Sequence, residues 1–214
     1  MKPALWSVLG CCVAVGCVLQ ANPAVTPKKI HNVSPPIHAH ALLLIAPSFE
    51  QYISQGPSGF HKVQTHYGAS AVKAVSALVT GSFATAEIRR LTDVEVQTLL
   101  DGAADTSVGD LLLVPVFETA NANGNVTTES PSFDDAGRVV VGASTYDETA
   151  EVRLRLNARS LRTGTSFTWV TLGRADSQPG WGRAAGLALE TALHAMSDSL
   201  AAHRAELELV RPAP

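Results

Sequence analysis

Two stretches of the chain are apolar almost without interruption, and several others are apolar at a fixed period. His40 to Ala46 runs straight to Pro47, and Leu111 to Phe117 follows the Gly109-Asp110 break. Apolar runs of that length between breakers predict central strands buried on both faces. From Tyr67 to Thr85 the spacing turns helical, with Ala71, Val75, Leu78, Val79 and Phe83 on one face. Thr92 and Glu95 form a capping box, with Leu91 as a staple, ahead of a short helix from Asp93 to Leu100 that stops near Gly102. Between these two helices, Ala86-Glu87-Ile88 reads as a short strand. Ala150 to Ala158 alternates cleanly, with Val152, Leu154, Leu156 and Ala158 on one side and Glu151, Arg153, Arg155 and Asn157 on the other. That alternation predicts a half-buried antiparallel strand, turned by Arg162-Thr163-Gly164-Thr165 and answered by Ser166 to Leu172. Beyond Pro179-Gly180, residues 181–204 predict the longest helix, with Leu189, Ala192, Met196 and Leu200 on its apolar side.

The order strand, helix, strand, strand hairpin, helix predicts an α+β or α/β two-layer sandwich. It would hold one three- to five-stranded mixed sheet with two main helices on a single face. Two polar stretches interrupt it. Residues 50–66 contain Gly and Pro and read as a long connection, with Tyr52 and Phe60 packed beneath it. Residues 119–137 are rich in Asn, Gly, Ser, Thr and Asp and read as a surface loop.

The amino terminus carries an address. Met1-Lys2 is a short positive start, and Ala4 to Val15 is almost wholly apolar. Twelve helical residues rise about 18 Å, short of the roughly 30 Å hydrocarbon core, so the stretch reads as a secretory signal rather than a span. The three cysteines of the 214 residues, Cys11, Cys12 and Cys17, all lie in this region. A cysteine-free body excludes a disulfide framework and a thiolate metal cluster. Ala14-Val15-Gly16-Cys17 resembles the lipobox of bacterial lipoproteins, with Ala14 where that family usually has Leu. The resemblance implies that Cys17 becomes the first mature residue, carrying a diacylglyceryl thioether and an N-acyl chain. Val18 stands where Asp commonly retains such proteins at the inner membrane, so the resemblance implies the outer membrane, on its periplasmic face. Cys11, after Val8-Leu9-Gly10, has too short an apolar run ahead of it. Ordinary cleavage after Leu19-Gln20-Ala21, which would discard Cys17, remains the alternative.

This divides the chain into a signal at 1–16, a lipidated cysteine and Pro-rich tether at 17–37, one αβ domain at 38–205 and a loose tail at 206–214. Four prolines and no periodicity in 18–37 predict an extended segment that reaches up to roughly 60 Å. Net charge is −3, and because residues 1–37 hold three lysines and no acid, the remainder holds 13 basic and 19 acidic side chains, or −6. Nucleic-acid binding needs clustered cations, and the body has only the pairs Arg89/Arg90 and Arg153/Arg155, which read as solvated faces. The expected partners are the membrane, through the lipid, and an envelope protein or a second copy of the chain.

Candidate chemistry is sparse. His38 and His40 share one face of a predicted strand and could ligate a metal with His61 or His66, although no carboxylate follows until Glu50. Ser70 sits inside a helical pattern and Ser144 lacks the Gly-x-Ser-x-Gly elbow, so neither reads as an activated nucleophile. Asp134-Asp135 is the best carboxylate pair, but glycosidase chemistry needs carboxylates about 5 to 9.5 Å apart across a cleft, which adjacency does not supply. No phosphate-cradling glycine motif is present and no cofactor is expected. Trp169 and Trp181 read as core aromatics before ligand platforms.

The hairpin 152–169, with Val152, Leu154, Leu156, Thr163, Gly164 and Trp169, resembles a group of periplasmic lipoproteins with a small αβ domain. That group includes the curli-secretion channel protein, the Pel-polysaccharide accessory lipoprotein and the penicillin-binding-protein activator lipoprotein. Where those proteins frequently have an Asp before the turn, this chain has Asn157 and Arg159 nearby. The resemblance implies non-enzymatic envelope work through partner or self contacts and transfers no functional residue. The expected function is therefore a lipid-anchored accessory protein. The rivals are a hydrolase acting on glycan or lipid, using His61, His66 and Asp134/Asp135, and a carrier with an enclosed apolar cavity for a small ligand or lipid.

Overall fold

The apolar run at Leu111 opens a strand that does not end where its apolar residues do. The computed structural model describes residues 18–58, 61–102, 109–128, 130, 132–133, 135–140, 144–179 and 182–208. Its first half contains β1 (Val18–Ala21), β2 (Ile37–Ile45), α1 (Pro47–Glu50), β3 (Ile53–Ser58), β4 (His61–His66), α2 (Tyr67–Ser82), β5 (Phe83–Arg90) and α3 (Asp93–Asp101). The second contains β6 (Leu111–Thr128), β7 (Ser132–Phe133), β8 (Val139–Val140), β9 (Ser144–Ser160), β10 (Ser166–Pro179), α4 (Arg183–Ala202) and α5 (Arg204–Glu208).

β6 is the spine of the sheet. One of its edges pairs antiparallel with β9 throughout, from Leu111 opposite Ser160 to Thr128 opposite Ser144, and β10 pairs antiparallel outside β9. Two strands share its other edge. Ala41–Leu43 of β2 run parallel to Leu111–Leu113, and Ser58 of β3 is opposite Gly124, so β2 and β3 lie end to end with α1 between them. β5 pairs outside β2, while β4 and then β1 pair outside β3. The mixed α+β class stands, but the sheet has eight strands rather than three to five, and β7 and β8 form a separate small hairpin.

Two of the extra strands, β3 and β4, come from the first segment expected as a loop, β1 comes from the segment expected as a tether, and the second loop segment lengthens β6. Residues 53–58 and 61–66 are the antiparallel pair β3 and β4, and 119–128 prolong β6. Backbone pairing carries these segments: β3 and β4 are largely polar, and in β6 the alternation of buried Ala120 and Ala122 with exposed Asn121 and Asn123 uses side chains too small to stand out as an apolar stripe. Of the two aromatics expected beneath the first loop, Tyr52 packs on the core and stacks on Phe117 at 4.4 Å, and Phe60 lies outside the described residues.

The two main helices, α2 and α4, share one face of the sheet, as the sequence predicts. Ile37, Ala39, Ala41, Leu43 and Ile45 of β2 point into their core, while Leu42 and Leu44 point the other way, into a smaller cluster with Val96 of α3. The unbroken run of β2 thus has both faces covered. The α3 capping box forms as expected, with Thr92 Oγ1 accepting from Glu95 N–H and Glu95 Oε2 accepting from Thr92 N–H. Small residues bring α4 onto the sheet. Ala184, Ala185, Ala188 and Ala192 are fully buried, and a Cβ on Gly173 of β10 would stand 1.8 Å from the Ala188 carbonyl oxygen. The tail is not loose as far as it is described: Leu207 of α5 is buried, and Glu208 accepts from the His38 N–H at 3.2 Å.

Candidate functional site

Cys17 and residues 1–16 lie outside the described residues, and the chain is described from Val18 onward. Residues 18–37 do not form the expected extended tether. Val18–Ala21 run parallel to β4, from Val18 opposite Lys62 to Ala21 opposite Thr65, and Ala21 is buried. The chain then crosses the helical layer. Pro23 accepts a hydrogen bond from Ser70 Oγ at 2.9 Å, the Thr26 N–H donates to Glu190 Oε1 at 2.7 Å, and the Val33 N–H donates to Ser82 Oγ at 3.1 Å. Ile30 and Val33 enter the main core. A Cβ on Gly186 of α4 would lie 2.5 Å from the Ala24 carbonyl oxygen, so the segment rests directly on the helix backbone. The prolines and the missing periodicity mislead because isolated residues and backbone hydrogen bonds, not an apolar stripe, attach this stretch.

The least expected ionisable group is Glu148 of β9. It has no exposed surface, and its Oε2 accepts the Ala184 N–H at 3.0 Å in the first turn of α4, whose positive end faces it. Burial pushes its carboxyl up, and the N–H groups of Ala184, Ala185, Gly182 and Arg183 pull it partly back. The nearby Tyr67 hydroxyl is held above the ordinary tyrosine value by burial first, then by the Glu148 carboxylate and Tyr52. Fully enclosed, Glu148 serves as a clamp between β9 and α4. Nothing in Asp-Glu-Thr-Ala, residues 147–150, distinguishes it from a solvated turn acid, because its role depends on a helix 36 residues later.

The other candidates scatter. His38 is exposed, His40 is half-buried, and both line a depression of about 200 Å³ with Thr85 and Asp110. His61 and His66 sit on β4, separated from β2 in the strand order by β3 and β6, and at opposite ends of their strand, about 17 Å apart along the backbone. The four candidate histidines therefore do not come together. Among the described residues no group of three or more His, Cys, Asp or Glu could hold a metal. Asp135 is exposed in the turn of the β7–β8 hairpin, and Asp134 lies outside the described residues. Ser70 is a stitch to Pro23, and Ser144 begins β9. Trp169 is core: it stacks on Phe167 at 5.8 Å, and its Nε1 lies 3.2 Å from His203 Nδ1. Trp181 lies outside the described residues. The layer where a carrier would keep its ligand is filled by Leu43, Val75, Leu78, Leu111, Leu154 and Leu193, none more than 1% exposed.

Beyond the part of β6 that α3 covers at Leu112 and Val114, a broad surface is uncovered among the described residues, the outer face of β9, β10 and β6 from Glu118 onward. Glu118 lies between Arg153 and Arg155, at 3.3 and 3.5 Å, and Glu151 pairs with Arg174 at 2.8 Å. Val170 and Leu172 stand among these charges with more than two-fifths of their surface exposed. Beside them is an open depression of about 350 Å³ lined by Asn121, Asn123, Thr149, Glu151, Arg174 and Asp176. Among the described residues no helix is long and apolar enough to cross a membrane.

No protein-family model matches the chain, and no curated protein matches it. Solved structures resemble it distantly, among them the following two. Protein XCC0632 from Xanthomonas campestris, of family model DUF330, is 12% identical with a TM-score of 0.37, over 86% of this chain and 92% of that one. A Helicobacter pylori homologue of the neuraminyllactose-binding hemagglutinin is 11% identical, also with a TM-score of 0.37, over 82% of this chain and 90% of that one. At that similarity neither name transfers to this protein.

Proposed function

We propose that the protein is a lipid-anchored accessory or adaptor subunit of a cell-envelope assembly, held through Cys17 at the periplasmic face of the outer membrane and working by contact rather than by catalysis. The observation that carries the anchor is β1. Cleavage after Ala21 would remove four residues that pair with β4, including the buried Ala21, whereas cleavage before Cys17 leaves that strand whole. Acyl chains contribute about 0.8 kcal/mol per buried CH₂, so the two or more chains of a lipidated amino-terminal cysteine hold a protein stably where one would not. The outer face of β9 and β10 supplies the contact, with Val170 and Leu172 as apolar anchors and the Arg and Glu pairs around them as a polar rim.

Two measurements test this reading. Cys17→Ser should move the protein from the membrane to the soluble periplasmic fraction, and unchanged fractionation defeats the anchor. Crosslinking in cells followed by affinity isolation should recover a stable partner with the native chain and lose it with Val170→Asp/Leu172→Asp at unchanged thermal stability. Recovery of the native protein alone counts against the adaptor.

A further inference from the structure

We propose that the end of the sheet where β1 begins lies against the membrane surface, so that the anchored body keeps one orientation instead of swinging on a leash. The proposal rests on the anchor reading above and deepens it. Register places one row of residues across the sheet: Val18 opposite Lys62, Lys62 opposite Pro57, Ser58 opposite Gly124, and Gly124 opposite Glu148, which is opposite Gln178. Cys17 precedes Val18 in the sequence, one peptide bond from this row. From Val18 onward the chain is attached to the body by the β4 pairing and by the hydrogen bonds to Ser70, Glu190 and Ser82, leaving no slack to absorb a rotation.

A lipid on Cys17 fixes that row near the headgroups, which occupy roughly 5 to 7 Å of each leaflet. On the same side of the row, β6 and β9 continue for four more register pairs, from Asn125 opposite Asp147 to Thr128 opposite Ser144, about 14 Å of ribbon. Sheet twist of about 20 to 25° per strand turns this ribbon relative to β1, so it meets the bilayer obliquely and presents a side instead of a point. The β7–β8 hairpin, between these two strands in sequence, has Asp135 to Val139 exposed, and Val139 shows 61% of its surface. The β9–β10 turn is at the other end, twelve residues from Glu148 along β9, or about 40 Å. The long ribbon thereby becomes a second membrane contact beside the acyl chains, and the face carrying Val170 and Leu172 stands away from the bilayer surface.

The cysteine-free body permits a direct test. Full-length Val139→Cys and Thr163→Cys proteins are purified from membranes, the state of the amino terminus is read by intact mass, and the single free thiol is labelled with a fluorophore. Each is reconstituted in phosphatidylcholine vesicles containing a headgroup-nitroxide lipid as quencher. Quenching at position 139 should exceed that at position 163 at least three-fold, and a 20-residue Gly/Ser insertion between Cys17 and Val18 should abolish the difference. An acylated chain with equal quenching at the two positions, or more at 163, overturns the orientation and leaves the anchor standing. A mass corresponding to an unmodified chain beginning at Asn22 overturns the anchor and the orientation together.

Discussion

Along β9, Val152, Leu154, Leu156 and Ala158 lie in the core under α4 with at most 1% of their surface exposed, while Glu151, Arg153, Arg155 and Asn157, one residue out of phase, face outward. The same strand thus holds two kinds of surface. The inner one is dry and packed on helices, so any change of volume or charge there is felt. The outer one is tied by ion pairs whose members are one-quarter to two-thirds exposed, and pairs of that kind contribute little to stability. Stability is concentrated on the inner face, and substitutions on the outer face cost little.

The sharpest way to break this comparison is to put the same charge on each face. Leu154→Asp should cost at least about 4 kcal/mol or prevent folding, because it combines lost packing with a buried carboxylate, whereas Arg153→Asp should cost about 1 kcal/mol. Equal shifts in urea denaturation would mean that the inward register is wrong. A smaller effect tests how closely α4 lies on the inner face. Gly173→Ala places a methyl against the Ala188 carbonyl and should cost about 1 to 3 kcal/mol, while Leu172→Ala on the outer side should stay within about 1 kcal/mol.

The smallest effect concerns the clamp that joins the two layers. Because burial raises the Glu148 carboxyl in the folded state, this group favours folding most when protonated, and its contribution falls as pH rises from the unfolded glutamate value through the folded one. Glu148→Gln keeps an acceptor for the Ala184 N–H but cannot titrate. The stability of the native chain relative to this variant should therefore decline from pH 4 to pH 7, as measured by urea midpoints. A flat or rising difference would mean that the α4 N–H groups outweigh burial.

Where apolar periodicity drives packing, the elements are legible in the sequence. The burial phase of β9, the Leu111 strand, the α3 capping box and the apolar sides of α2 and α4 follow from spacing of 2 or 3.6 residues, except that Phe83, expected on the α2 face, opens β5 instead. Elements held by backbone pairing are not legible. β1 is only four residues long, and the β3–β4 pair and the distal half of β6 carry Gly, Pro, Asn or Thr; all become strands because an edge was available to pair with. The same division runs through the candidate site. Cys17 and its apolar approach are a local pattern, readable in order. That Ser70 holds Pro23, that Glu190 meets Thr26 and that Glu148 caps α4 depends on contacts across 47, 164 and 36 residues, which no window contains.

By itself the sequence determined the αβ class, the two helices on one face, the inward phase of the core strands and the cysteine-free body, since each is set by residue type and short-range period. Only the tertiary structure decided that the sheet has eight strands, that the candidate histidines stay apart, and that residues 18–37 lie on the domain rather than extending from it. The physical reason is that backbone hydrogen bonding is indifferent to side-chain type: a polar, proline-bearing segment is a tether until a paired edge and a buried Ile30 and Val33 make it part of the fold.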